Sequence, residues 1–212
     1  MKKGKLLFDL DGTLIDSSAG IYASLNYAMK EMNRKPLSQK TLKSFIGPPL
    51  MDSFINIGMS EDEAKEAVDH YRTLYKEKGM YQVTSYDGIK EVLTQLTKRY
   101  ELFVATSKPE FFAIKIISHL GFNQFFQDIY GADLKGVRSD KKAVIHDVLK
   151  AEKIEDLSSV IMIGDRAHDI IGAKENGIES IGVLYGFGDK EELEKAGASK
   201  TIAKPAELLD IF

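Results

Sequence analysis

The residues of this 212-residue chain best placed to do chemistry are two aspartates one residue apart, in Phe8-Asp9-Leu10-Asp11-Gly12-Thr13-Leu14. An apolar run ends there and turns at a glycine. Three readings compete. A calcium loop starting at Asp9 needs glycine at its sixth position and a bidentate glutamate at its twelfth, and the chain has Leu14 and Gly20 there. A solvated turn, with aspartate bonding the backbone that follows, is how most such strings behave. The third reading makes one carboxylate a nucleophile and the other a proton donor, both beside a metal ion.

Three later segments weigh for the third reading. Leu102-Phe103-Val104-Ala105 delivers Thr106-Ser107-Lys108, a hydroxyl and backbone amides able to hold a phosphoryl oxygen. Val160-Ile161-Met162-Ile163 delivers Gly164-Asp165-Arg166-Ala167-His168-Asp169, whose two aspartates have helical spacing. Acids gathered at one edge repel each other unless a cation sits among them. Ser139-Asp140-Lys141-Lys142 opens a helix bearing Val144, Ile145, Val148 and Leu149, so a lysine stands in a first turn, where the helix dipole favours acids. An anionic partner for Lys141 resolves that conflict.

The elements that position these groups follow from period and punctuation. Short apolar runs at Leu6–Leu10, Leu102–Ala105, Val160–Ile163 and Ile178–Leu184 read as buried parallel strands, each followed by a helical pattern. Asp87-Gly88 precedes a helix, Pro109 suits a first helical turn, and Gly121 and Asn176-Gly177 end helices. The expected fold is α/β: a doubly wound, mostly parallel sheet that binds ligands beyond the carboxyl ends of its strands. From Asp16 to Tyr81 the pattern is helix after helix. Ser17 or Ser18 can cap the first, and Ser60 with Glu63 forms a capping box for another. We therefore expect an all-α insert over 16–81 within an α/β core of 1–15 and 82–212.

Composition narrows the partners. Lysine and arginine total 29 against 32 acidic residues, a formal charge of -3, so no global field recruits nucleic acid or an anionic membrane. There is no cysteine, which excludes disulfides, thiolate metal sites and a thiol nucleophile, and fits a reducing cytoplasm. Met1-Lys2-Lys3 resembles the start of an export signal, but Asp9 and Asp11 interrupt the apolar run after it, and we expect none. No stretch approaches a bilayer span. A small molecule is the expected partner, and the chain is expected as a monomer or homodimer.

Four motifs in this order resemble the haloacid dehalogenase superfamily, and within it the group around phosphoglycolate phosphatase, over essentially the whole chain. Phe8–Leu14 matches the first motif, Thr106 the second, Lys141 the third, and Gly164-Asp165 with Asp169 the fourth. The third motif reads Lys141-Lys142-Ala143, without the proline that often follows its lysine, so Lys142 competes for that position. The resemblance implies a magnesium-dependent phosphomonoesterase. Asp9 would be the nucleophile, Asp11 the acid and base, and Thr106 and Lys141 the stabilisers of phosphoryl charge. Asp9, Asp11, Asp165 and Asp169 would hold the metal, an all-oxygen set suited to magnesium. Thr13, Ser107 and Lys108 would contact phosphate. The insert would be the family's helical cap, with Gly47, in Phe45-Ile46-Gly47-Pro48-Pro49-Leu50, and Arg72 meeting substrate. Asp11 argues against dehalogenation, since members that cleave carbon–halogen bonds lack that acid. A 5′-nucleotidase or pyrophosphatase of the same family, a β-phosphoglucomutase-like mutase and a non-catalytic phospho-ligand binder are the alternatives.

Other residues read more plainly. Arg166 and His168 are expected on the helix surface, off the face of Asp165 and Asp169. His70, His119 and His146 lack ligand spacing, Tyr22, Tyr27, Tyr71 and Tyr75 are expected in the helical core, and the glycine-rich Gly182–Gly188 is expected as a flexible loop.

Overall fold

The computed structural model describes residues 4–133 and 140–212, so Met1-Lys2-Lys3 and Ser139 lie outside the described residues. The chain forms two compact units, Met1–Asp16 with Ser85–Phe212, and Ser17–Thr84.

The first unit is built on a six-stranded sheet of β1 (Gly4–Phe8), β4 (Tyr100–Pro109), β5 (Asp128–Ala132), β6 (Val160–Gly164), β7 (Glu179–Val183) and β8 (Lys200–Ile202). Two-residue strands, β2 (Ile15–Asp16) and β3 (Thr84–Ser85), mark where the chain leaves this unit and returns. The sheet order is β5-β4-β1-β6-β7-β8, and every pair in it is parallel. After β1 the chain builds outward on one side to β4 and β5, then returns to the other side for β6. The order reverses at β1, so the crevice beyond its carboxyl end is where an open sheet of this kind binds ligands.

Central strands here are covered on both faces, which is why they read as unbroken apolar runs. On one face Leu7, Phe103, Ala105 and Met162 pack with Val144, Ile145 and Val148 of α7 (Lys141–Ala151) and Ala173 of α8 (Ala167–Glu175). Each of the larger side chains among them contributes about 1.5–3 kcal/mol relative to exposure. α5 (Ile89–Leu96) and α6 (Glu110–His119) also pack on β4, and α9 (Lys190–Ala196) and α10 (Leu208–Ile211) complete the unit. All four expected runs are strands, with ends displaced by a few residues. β4 is the longest departure, continuing past Ala105 through a register shift between Thr106 and Pro109. Pro109 thus ends a strand and caps α6 instead of lying in its first turn. The edge strands β5 and β8 carry polar residues and have no apolar run to betray them.

The second unit contains α1 (Ser18–Glu31), α2 (Gln39–Ser44), α3 (Leu50–Asn56), α4 (Glu61–Glu77) and a 3-10 turn over Gly79–Tyr81. α1 packs against α4 and against the 3-10 turn that follows it, where a Cβ on Gly20 would meet the Gly79 carbonyl at 1.9 Å. Phe45 meets Phe54 edge-on, and Tyr71 stacks on Tyr75. The capping box is formed: Ser60 Oγ accepts from the Glu63 amide, and Glu63 returns a carboxylate to the Ser60 amide. Ser17 is the N-cap residue of α1, but its hydroxyl makes no capping bond. Tyr22 and Tyr27 are half-buried while Tyr71 and Tyr75 are in the core.

Candidate active site

The site lies at the carboxyl edge of β1, β4 and β6, where three strand ends and the start of α7 converge. Asp9 follows β1 directly, and its amide donates to the Ile163 carbonyl at 2.9 Å, tying the end of β1 to β6. The chain then folds into a tight turn in which Thr13, Leu14 and Ile15 all direct their amides to the Leu10 carbonyl. Gly12 takes a positive φ of 84° there, and a Cβ on it would sit 2.1 Å from the Asp165 carboxylate. Only glycine satisfies both the backbone and that approach.

Lys141 is the hub. As the first residue of α7 it is 2 % exposed, and its Nζ lies 2.7 Å from Asp9 Oδ1 and 2.8 Å from Asp169 Oδ1. It also donates to the Ala105 carbonyl of β4, at 2.8 Å. Burial works against its charge, but Asp169 and Asp9 outweigh burial and hold its pKa above the ordinary lysine value. Asp140 caps α7 by accepting from the Ala143 amide, so the helix start is satisfied without the lysine, which is released to the site. Lys142 points elsewhere: it is largely exposed and 3.6 Å from Glu175.

Around this hub sit the other groups. Asp11 pairs through Oδ2 with Lys108 Nζ at 2.7 Å, both side chains largely buried. Thr106 is buried, and its Oγ1 accepts from the Lys108 amide, while Ser107 between them is half-buried. Asp165 is fully buried. Its Oδ2 accepts from the Phe187 amide at 2.8 Å, and Oδ1 lies 3.4 Å from the Thr13 hydroxyl. Asp169 accepts from the Arg166 amide. Nine of the expected site residues therefore share one edge of the first unit; Gly47 and Arg72 belong to the second, Gly47 at a φ of 109° and Arg72 half-buried on α4.

The electrostatics of this cluster are lopsided. Burial first, then the charges of Asp169 and Asp9, push the Asp165 carboxyl well above its ordinary pKa, only partly offset by the Phe187 amide. Burial also opposes the charged form of Asp169, yet Lys141 and then His168 hold that group below the ordinary value. Three buried carboxylates thus face one buried ammonium.

A model of the haloacid dehalogenase-like hydrolase family matches residues 6–183. This chain belongs to that family. A 5′-nucleotidase of Pseudomonas aeruginosa is 43% identical over 190 residues, covering 89% of this chain and 86% of that protein. A phosphoglycolate phosphatase of Colwellia psychrerythraea is 28% identical, covering 92% and 91%. Among solved structures, a predicted phosphatase from Clostridium acetobutylicum superposes with a TM-score of 0.93 at 40% identity, over 100% of this chain and 98% of that one. The helical second unit and the parallel sheet are those of the haloacid dehalogenase fold.

Members of the family work with a divalent metal, and the residues here fit one. The cluster lacks about two positive charges, and the buried Asp11 Oδ1 has no hydrogen-bond partner. The aspartates offer carboxylate oxygens, which magnesium prefers. Among the described residues, the metal-capable group drawn within 4.8 Å is Asp9, Asp169 and His168. His168 corrects the sequence reading: its Nε2 is 3.8 Å from Asp169 Oδ1, so it faces the acids and not the open helix surface. Arg166 does take a peripheral place, bonding Glu192 through Nε at 2.9 Å.

The segment expected as a flexible loop is also corrected. Tyr185 donates its hydroxyl to the Thr13 carbonyl, and the Phe187 amide grips Asp165. A backbone amide leaves no mark in a one-dimensional pattern, so Phe187 had no signal to find. The unusual density of glycine at Gly182, Gly186 and Gly188 was the available clue, because each sits where a Cβ would collide.

Proposed function

We propose that this hydrolase is a magnesium-dependent phosphatase that cleaves a small phosphomonoester through an aspartyl phosphate on Asp9. The observation that carries this reading is the buried lysine bridging Asp9 and Asp169 at the end of β1. A carboxylate held by an ammonium in a water-poor site is kept at a fixed position from which it can attack.

Asp9 attacks phosphorus in line with the leaving oxygen, and the P–O bond to the alcohol breaks as the bond to Asp9 Oδ forms. Asp11 gives its proton to the departing alkoxide. It then takes a proton from the water that attacks the aspartyl phosphate, so inorganic phosphate leaves, Asp9 is a free carboxylate again and Asp11 again holds its proton. Lys108 Nζ, 2.7 Å from Asp11 Oδ2, fixes where that carboxyl points. Lys141, Thr106 and the amides of the last residues of β4 face the charge that builds on the phosphoryl oxygens. When bound among Asp9, Asp11, Asp165 and Asp169, magnesium supplies charge neutralisation between two anions that would otherwise repel.

Nucleoside 5′-monophosphates come ahead of phosphoglycolate as candidate substrates, since the relative named for the former is more similar to this chain than the one named for the latter. A cytoplasmic location goes with substrates of either kind. Phosphate release is measured from both, from a sugar phosphate and from pyrophosphate, with magnesium and with a chelator, beside Asp9→Asn. The expected result is magnesium-dependent release that falls at least about a thousandfold in kcat in the variant, with the fold kept. Undiminished release by Asp9→Asn would falsify the nucleophile assignment.

A further inference from the structure

The segment from Tyr185 to Glu192 has no part in the chemistry just described, yet it touches the start of α8 at several points. Phe187 donates its amide to Asp165 Oδ2 at 2.8 Å. Glu192, on α9, accepts through one oxygen from both Arg166 Nε at 2.9 Å and the Ala167 amide at 2.8 Å. Tyr185 anchors the other end on the Thr13 carbonyl at 3.2 Å, and Tyr86 lies edge-on against its ring. Between these bonds the segment presses on the backbone of the site. A Cβ on Gly186 would meet the Gly12 carbonyl at 2.3 Å and Asp165 Cβ at 2.5 Å; one on Gly188 would meet the Asp165 carbonyl at 1.9 Å.

Asp165 needs such a restraint. Its carboxylate is buried beside Asp169 and Asp9, whose charges repel it, and the lysine hub reaches the other two acids. A side chain pushed by its neighbours stays in place only if its backbone and its own oxygens are held. The Phe187 amide holds one oxygen, and Glu192 holds the two residues that follow.

We infer that Tyr185–Glu192 is a positioning clasp, and that Glu192 is a positioning residue which sets the affinity of the site for its divalent cation by fixing Asp165 through Arg166 and Ala167. This rests on the metal-dependent reading given above. Glu192 touches no reacting atom; it acts on the backbone that carries Asp165. Partners that orient a metal ligand change affinity or activity by about 10–100-fold when removed.

The test is magnesium binding by isothermal titration calorimetry, which needs no turnover, on the full chain and on Glu192→Ala, Glu192→Gln and Tyr185→Phe. Glu192→Ala should weaken magnesium binding by about tenfold. Glu192→Gln, which keeps an oxygen able to accept both bonds, should bind within about threefold of the parent chain. In turnover assays the same loss should appear as a higher magnesium requirement, with kcat recovered at saturating magnesium, a pattern that a general loss of folded protein does not produce. Lys195→Ala, which breaks an exposed pair within α9, is the control and should leave binding unchanged.

Unchanged magnesium affinity in Glu192→Ala overturns the clasp while leaving the hydrolase reading intact. Weakened binding in a chain that releases no phosphate from any substrate upholds the clasp and removes the proposed chemistry instead. If Glu192→Ala does not fold, Tyr185→Phe carries the test alone, since it loses a single hydroxyl, and parental affinity there overturns the inference. Equal weakening by alanine and glutamine overturns it too, because charge and not geometry would then be the cause.

Discussion

The two units bury different things. In the α/β unit the buried polar residues include Asp9, Thr13, Thr106, Lys141, Asp165 and Asp169, gathered at one sheet edge; in the helical unit they are Ser17, Ser24 and Ser53. Every described charged side chain that is buried belongs to the first. The helical unit loses little by burying a hydroxyl that bonds to its own helix, as Ser24 does to the Gly20 carbonyl. The α/β unit carries charges whose removal from water costs several kcal/mol each unless partners and a cation offset it. Stability in one unit follows ordinary packing, and in the other it depends on how buried charges are paired.

The sharpest way to break that contrast is to remove the hub. Lys141→Met keeps the length of the side chain but leaves Asp9 and Asp169 facing each other with no ammonium between them. The expected loss is about 3–5 kcal/mol of stability at neutral pH, together with a fall in kcat of about a hundredfold or more. Chemical denaturation read with and without magnesium measures the first, and a saturated phosphate-release assay the second. A variant as stable as the parent would mean that the cluster is not held together by charge.

Next in size is the response to magnesium as a function of pH. In the metal-free chain the raised pKa of Asp165 means that its contribution to stability is fully present below the unfolded value, near 3.9, and is lost as pH rises through the folded one. Asp169, with a lowered pKa, works in the opposite sense and in a separate window: its contribution exists above the unfolded value and is lost as pH falls through the folded one, below about 4. Magnesium should therefore stabilise most where Asp165 is ionised, by about 2.7 kcal/mol at a hundred times its dissociation constant, and progressively less toward acid as protons compete. Thermal melts across pH with magnesium or chelator check this. Equal stabilisation at every pH would exclude Asp165 from the metal site.

What could be read in one dimension follows the same division. Strands buried on two faces announce themselves as apolar runs, so β1, β4, β6 and β7 were legible; β5 and β8, at the edges, were not, because Asp128 and Lys200 stand where solvent reaches. Acids and the lysine of the site were legible because each follows such a run or opens a helix against the dipole. Groups that act through the backbone or at a distance were not. Phe187 contributes an amide that any residue would supply, and Glu192 sits among three glutamates of one helix with nothing in its neighbours to single it out. His168 was misplaced for a related reason. Helical spacing puts it off the Asp165–Asp169 face, but Asp165 precedes the helix and Asp169 lies in its first turn, so a face drawn through both is not a helix face.

The smallest expected effect tests the quieter unit. Ser60 and Glu63 close the start of α4 by exchanging two bonds, and Glu63 also takes Arg34 Nη2 at 2.6 Å. Ser60→Ala removes only the bond to the Glu63 amide, at 3.3 Å, because the reciprocal bond uses the backbone of residue 60. A cap lost in this way costs about 1 kcal/mol. That cost should not vary with magnesium or with pH across the window in which Asp165 responds, since no buried charge of this unit is involved. Denaturant midpoints in magnesium and in chelator, compared for Ser60→Ala and the parent chain, decide the point. A penalty that grew when the metal was withdrawn would mean that the helical unit shares the electrostatic burden of the α/β unit, and the contrast between them would have to be given up.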